Sequence, residues 1–224
     1  MAVLLEGGCR VADMREDAPQ VQGELISLRV VEIEPGVSYE FRNEDRDEVF
    51  FSLGNGTVLG EGVEQRLEPE TGIFLRAGER FAIANQGSAS VAVVGVQCPA
   101  TGEDVSPSVV RLADQRAMPT ADRWYRVLID SEVTQFVGSI PPGRAPDHFH
   151  EYEEVLFILR GEGRMWTEAR STPIGYGSCI YLPRRQVHCV ENTGTGELRL
   201  LGVFYPAGSP AVRYETATEP TETA

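Results

Sequence analysis

The chain has 224 residues, 34 acidic against 20 basic side chains and a formal net charge of −14, and every basic residue is arginine. With no lysine it can form no Schiff base and has no P-loop lysine, and an acidic chain without a basic patch repels phosphate backbones, so no nucleic-acid partner is expected. A hydrophobic fraction of 42% is that of a soluble globular protein, and no apolar run nears the roughly 18 residues that would suggest a membrane span.

From the N-terminus, Met1-Ala-Val-Leu-Leu-Glu6 lacks the basic start and the long apolar stretch of a signal peptide, so a cytoplasmic protein is expected. Cys9, Cys98, Cys179 and Cys189 form no CxxC pair and are too sparse for a disulfide scaffold, which predicts reduced, structural thiols. Residues 25–34, 47–53 and 91–97 are rich in Val, Ile, Leu and Phe and are bounded by turn signals such as Gly54-Asn-Gly56. That pattern predicts short β-strands. Residues 106–122, around Pro107 and Pro119, read as a connection. Strands resume at 134–140, 154–160 and 198–205, separated by Gly161-Glu-Gly163 and Asn192-Thr-Gly194. The Thr- and Glu-rich residues 215–224 have no apolar anchor and are expected to be disordered. No stretch shows a sustained 3.6-residue apolar period, so the fold is all-β, of the barrel or sandwich kind.

The two sets of strands are copies of each other. Glu48-Val-Phe-Phe-Ser-Leu-Gly54 parallels Glu154-Val-Leu-Phe-Ile-Leu-Arg-Gly161, and Leu75 to Asn85 parallels Leu182 to Asn192. Val94-Gly-Val-Gln-Cys-Pro99 parallels Leu201-Gly-Val-Phe-Tyr-Pro206, and Pro35-Gly36 parallels Pro142-Gly143. All four pairs keep one order at an offset of 106 or 107 residues. Two tandem units follow, one over 1–105 and one over 123–214.

All three histidines fall in the second unit, at His148, His150 and His188, with Glu154 close behind the first two. On an extended strand positions 148, 150 and 154 share a face. Three imidazoles and one carboxylate make a mixed nitrogen and oxygen site that suits Fe, Mn, Ni or Co and leaves positions for a substrate. A structural zinc is less favoured, because such sites usually include cysteine.

These residues stand as Gly143-x4-His148-x-His150-x3-Glu154-x6-Gly161 and Gly177-x5-Pro183-x-Arg185-x2-His188-x3-Asn192. The pair resembles the two motifs of the cupin superfamily, one residue short before the first histidine and with Arg185 in place of a glycine. With the repeat, the chain looks like a bicupin. The resemblance implies two tandem antiparallel β-barrels (double-stranded β-helices of jelly-roll type), with His148, His150, Glu154 and His188 ligating one divalent ion. In the first unit the positions matched to these four are Arg42, Glu44, Glu48 and Phe81, which predicts a metal-free barrel with Phe81 as filler and Arg42 neutralising Glu44 or Glu48.

A divalent ion in such a shell can polarise a chelating oxygen pair, stabilise an enolate or bind dioxygen. The expected function is a metal-dependent enzyme acting on a small oxygenated organic molecule, foremost a non-haem dioxygenase. An isomerase, epimerase or lyase is the alternative, with Tyr152 and Tyr181 as candidate catalytic bases and Glu153 as a weaker one. A non-catalytic small-ligand binder is a third reading. Arg144, Arg164, Arg184 and Arg185 are candidates to hold a substrate carboxylate. Association as a homodimer is expected from the need to cover sheet edges.

Overall fold

The computed structural model describes residues 2–16, 19–60, 63–100, 102, 109–120, 123–211 and 214–215. Its described elements are strands, apart from two single-turn 3-10 segments, Glu6–Gly8 and Leu112–Asp114. All strand pairings are antiparallel, as the turn-rich spacing of the apolar runs predicts.

Each unit is a long sheet facing a short one. In the first unit the long sheet orders Val109–Arg111, Thr71–Leu75, Arg46–Ser52, Val91–Pro99, Ser27–Ile33 and Val21–Gln22. In the second it runs Val3–Leu4, Arg10–Asp13, Ser178–Leu182, Glu153–Arg160, Leu198–Tyr205, Thr134–Ile140, Arg123–Asp130 and Met118–Thr120. The short sheet of the second unit holds Gly143–Arg144, Cys189–Asn192, Glu162–Thr167 and Arg170–Gly175.

Period-two alternation explains the continuous apolar runs of the central strands. Phe50 packs into the first barrel's interior, whereas its neighbours Val49 and Phe51 join a cluster shared with Val155, Phe157, Leu201 and Val203 of the second. Leu156 and Ile158 point the other way, into the second barrel. The two long sheets are thus buried on both faces, which selects apolar residues at consecutive positions. Gln135 Nε2, fully buried, donates across the junction to Phe50 O at 3.2 Å, and Arg199 pairs with Glu70 at 2.7 Å.

The unit boundaries do not follow sheet membership. Arg10–Asp13, before the first barrel, pairs with Ser178–Leu182 of the second, and Val109–Arg111, before the second, pairs with Thr71–Leu75 of the first. Each barrel therefore receives an edge strand from the segment that leads into the other. Such pairing covers backbone groups that an edge would leave unpartnered. Within the expected connection, Met118–Thr120 is also a strand, while residues 106–108 and 121–122 lie outside the described ones. Of the tail, Glu215 pairs with His148 instead of being free of structure, and residues 216–224 lie outside the described ones.

The repeat is retained in detail where the backbone needs it. Asn85 Nδ2 donates to Ile33 O and Ala89 O, both at 2.9 Å, and Asn192 Nδ2 donates to Ile140 O at 2.8 Å and Gly196 O at 2.7 Å. A side-chain amide can close a turn from inside the barrel in this way. Gly36 and Gly143 hold φ of +122° and +123°, a region that side-chain-bearing residues avoid.

Candidate metal centre

His148 and His188 are set opposite each other by the backbone. His148 N–H donates to His188 O at 3.0 Å, His188 N–H donates to His148 O at 2.8 Å, and the rings stand 4.5 Å apart. His150 follows directly after the strand His148–Phe149, where Arg185 N–H donates to its carbonyl at 2.7 Å. Arg185 is left-handed at φ 61° and pairs with Glu151 at 2.8 Å. The turn expected to want glycine is therefore kept, with an exposed arginine in a conformation that costs about 1 kcal/mol or more. Glu154 opens the inward face of the next strand, Glu153–Arg160. The four candidate residues do not share one strand, as their parity suggested; a bend at 151–152 separates His148 and His150 from Glu154.

Each imidazole has its Nδ1 occupied behind the site. His148 Nδ1 lies 3.0 Å from Pro146 O, His188 Nδ1 lies 2.8 Å from Gln186 O, and His150 Nδ1 lies 3.0 Å from Tyr152 Oη. The carbonyls can only accept, so these two rings are Nδ1–H tautomers that turn Nε2 toward the centre. Tyr152 donates its own proton to Ser209 O at 3.2 Å, which makes it an acceptor for His150. All three histidines offer a ligand atom within 4.8 Å of the others. Glu154 Oε2 stands 3.8 Å from His150 Nε2 and 3.5 Å from His188 Nε2.

Donors about 2.1 Å from a shared ion stand some 3–4 Å from one another, and this cluster is close to that spacing. Glu154 Oε2 is buried with no hydrogen-bond partner, and burial pushes the carboxyl up to about 8. A buried carboxylate oxygen is costly unless hydrogen bonds or a cation satisfy it. The residues therefore fit a divalent transition ion: three neutral nitrogens, one oxygen, and every nitrogen oriented from behind.

Tyr152→Phe should retain the ring that stacks on His150 at 12° and 4.8 Å but remove the Nδ1 acceptor. Metal affinity should fall by about 10- to 100-fold in a chelator competition. Metal uptake should also be proton-linked. Because Glu154 binds its proton more tightly folded than at its ordinary 4.5, the metal-free fold loses stability as pH rises from there to about 8. Metal affinity should rise over the same window and level off above it. Calorimetry at pH 7 in buffers of different ionisation enthalpy should report release of about one proton per ion, and no release would contradict the assignment.

The cluster forms the floor of a cavity of about 90 Å³. Tyr125, Phe136, Ile140, Leu156, Val190, Leu200 and Phe204 give it apolar walls, and Thr120, Arg123 and Pro210 also line it.

Of the candidate bases, Tyr152 sits behind His150 with its hydroxyl turned to Ser209, so it orients a ligand and does not face the cavity. Tyr181 belongs to the cluster between the barrels, opposite in parity to Ile180 and Leu182, and is not brought to the site. Glu153 faces the same junction, where its Oε2 accepts from Leu25 N–H at 3.0 Å and Ile26 N–H at 3.2 Å. Among the arginines singled out, Arg144 stacks over Trp166 at 4.2 Å and donates to Cys189 Sγ, Arg164 donates to Ser171, and Arg184 and Arg185 are exposed. None lines the cavity; Arg123 does, and nothing in the sequence near the histidines pointed to it. The four cysteines form no disulfide, and burial pushes Cys9, Cys98 and Cys179 up to about 12, which leaves them inert thiols.

The first barrel fills the equivalent space differently. Gly78 N–H donates to Asn43 O at 2.7 Å as Arg185 does to His150, and Phe81 pairs with Phe41 as His188 does with His148. The positions equivalent to His148 and His150 are thus Phe41 and Asn43, one residue before the Arg42 and Glu44 matched by sequence; the extra residue falls between Asn43 and Glu48. Arg42 pairs with Glu44 at the surface. Glu48 instead receives a bidentate guanidinium, Arg29 Nε at 2.7 Å and Nη2 at 2.8 Å, under the rings of Phe41 and Phe50. Phe81 completes that aromatic cluster at 5.2 Å from each ring.

Residues 136–204 match the family described as Cupin domain. The second barrel is a cupin domain. Over 67 residues the chain is 36% identical to an oxalate-binding protein of Thermotoga maritima, covering 29% of this chain and 55% of that relative. It thus spans about half that relative's length. A solved Pseudomonas aeruginosa protein described as glyoxylate-induced superposes with a TM-score of 0.76 over 93% of both chains at 16% identity. Bacillus subtilis oxalate decarboxylase, whose structure concerns its Mn(II) centres, superposes at 0.69 over 93% of this chain and 76% of that one, at 14% identity. Likenesses at these identities are of fold: this chain shares the two-barrel fold of those structures, and its histidine triad lies in the second barrel.

Proposed function

We propose that this bicupin is a metal-dependent enzyme for a small organic molecule that presents two adjacent oxygens on an apolar body, and that it oxidises this molecule with dioxygen. The observation that carries the proposal is the floor of the cavity, where three pre-oriented imidazoles and the unpartnered Glu154 carboxylate meet beneath apolar walls.

His148, His150, His188 and Glu154 would hold an iron, manganese, nickel or cobalt ion. That ion would supply Lewis acidity and, for the redox-active metals, a means of bringing dioxygen and substrate together. The chain's own contribution is positional. Pro146 O, Gln186 O and Tyr152 fix the imidazole tautomers, while Phe136, Phe204 and Leu156 exclude water and favour an apolar body. The oxidative reading gains support from what the described cavity walls offer for proton transfer: the tyrosines expected as bases, Tyr152 and Tyr181, face elsewhere.

Oxygen uptake by anaerobically purified, metal-loaded protein on a catechol, flavonol and enediol panel tests the proposal. Turnover at full rate under strict anaerobiosis, with solvent deuterium entering the product, would transfer the protein to the isomerase class. A second reading, a ligand-binding cupin without turnover, draws on the oxalate-binding relative. Recovery of every bound panel member unchanged would select it.

A further inference from the structure

We infer that the segment after the last barrel strand, Ala207 to Pro210, belongs to the metal centre, with Thr134 and Gly208 as positioning residues that act on His150 through Tyr152. The inference rests on reading the histidine floor as a metal centre and not on the reaction proposed for it.

The segment is pinned where it leaves the barrel. Ala207 N–H donates to Glu132 O at 2.7 Å. Gly208 is bonded twice to the buried Thr134 hydroxyl, which accepts from its N–H at 3.1 Å and donates to its carbonyl at 3.0 Å. That reciprocal pair sets the position of the next carbonyl, Ser209 O, which accepts the Tyr152 proton at 3.2 Å. With its proton committed there, Tyr152 accepts from His150 Nδ1–H, and the Nε2 lone pair of His150 is left for an ion. Pro210 then lines the cavity, and farther on Tyr214–Glu215 pairs with His148–Phe149, the strand that carries another of the histidines.

Packing makes the same connection by a second route. The Tyr152 ring touches the His150 ring at 4.8 Å and Phe204 at 4.4 Å, and the bare backbone of Gly208 lies against it as well. A Cβ at Gly208 would fall inside the van der Waals envelope of that ring. A methyl group is therefore accommodated only by moving Tyr152, and in a close-packed interior the movement passes to the imidazole stacked on it. Gly208 is not in the left-handed region, so alanine suits its backbone and would act through space alone. The first barrel has no histidine, and it also has no tyrosine between Asn43 and Glu48. The arrangement accompanies the imidazoles and is absent where they are absent.

The test uses the full chain with nitrogen-15 in its histidines, a label that only three rings carry. In metal-free protein at about pH 8.5, where imidazoles are neutral and phenols protonated, all three should be Nδ1–H tautomers. Thr134→Val removes the hydroxyl at nearly constant shape. It should free Tyr152 to donate to His150 and give one ring of the three a mixed or Nε2–H signal. Cobalt affinity in a chelator competition should fall by about 10- to 100-fold, and Thr134→Ser, which keeps the hydroxyl, should restore both readouts. Gly208→Ala should weaken cobalt binding by a similar factor. A merely structural role would lower the melting temperature of the variants and leave tautomers and affinity as they were; that result overturns the inference. An Nε2–H ring in the unmodified protein overturns it without any variant. Where one of Thr134→Val and Gly208→Ala fails to fold, the other decides. Unmodified protein that binds no cobalt would remove the metal reading of the floor, and the nitrogen-15 signals would then decide by themselves whether the segment positions His150.

Discussion

His150→Ala should abolish stoichiometric metal binding while the chain stays folded. The expected content falls from about one ion per chain to a trace, a loss in affinity beyond the roughly 100-fold that follows when only the group behind a ligand is removed. His150 is 6% exposed and is held from both sides, by the Tyr152 ring it stacks on and by the Arg185 N–H on its carbonyl. Its removal leaves His148 and His188, with Glu154 near one of them, and two imidazoles with a carboxylate do not enclose the ion as the full set does. The first barrel's interior of Phe41, Phe50 and Phe81 belongs to a separate cluster, so its packing is untouched. Elemental analysis of anaerobically purified protein, with far-ultraviolet circular dichroism, checks both parts. A variant that keeps its full metal content would remove His150 from the site. A variant that loses all structure would make the ion a structural one.

Phe157→Ala should cost about 3–5 kcal/mol of stability, the range for truncating a large buried aromatic side chain. Phe157 is 0% exposed and lies in the cluster that also contains Val49, Phe51 and Phe74 of the first barrel. The junction between the barrels is therefore a core and not a contact between two finished surfaces. The exchanged edge strands, Arg10–Asp13 and Val109–Arg111, tie the units further, since neither sheet is complete without chain from the other side. The unmodified protein should accordingly unfold in urea as one transition by fluorescence and circular dichroism alike. The variant should shift that transition without splitting it. Two separated transitions in the unmodified protein would contradict a shared core.

Arg29 and Glu48 show what the first barrel places where the second has Phe136 and Glu154. At the position corresponding to Glu154, the first barrel keeps the carboxylate and supplies the cation covalently, as a guanidinium from the strand Ser27–Ile33. The corresponding residue in the second barrel is Phe136, part of the cavity wall. The exchange is reciprocal: one barrel has a half-buried cation and aromatic filling, the other three imidazoles at the cavity.

Much of this was legible in one sequence because it depends on local periodicity and on spacing. Apolar runs bounded by Gly and Asn gave the strands, the recurring blocks gave the doubling, and confinement of every histidine to two short segments gave the site. Those signals are carried by neighbours along the chain. The register of the first unit's motif was not legible, because a single extra residue between Asn43 and Glu48 moves the match by one and only the hydrogen bonds of Gly78 and Arg185 show where it falls.

Three matters were decided by the tertiary structure alone. Tyr152 and Tyr181 both stand near ligands in sequence, yet the side of the strand or turn each occupies sends one behind His150 and the other between the barrels. Arg123 reaches the cavity from 25 residues before His148, since neighbouring strands bring distant residues together. The exchange of edge strands leaves no periodic trace, because an edge strand reads the same whichever sheet it joins. Sequence sets which residues are apolar and which can ligate; the direction of a side chain and the partner of an edge are fixed only when the sheets close.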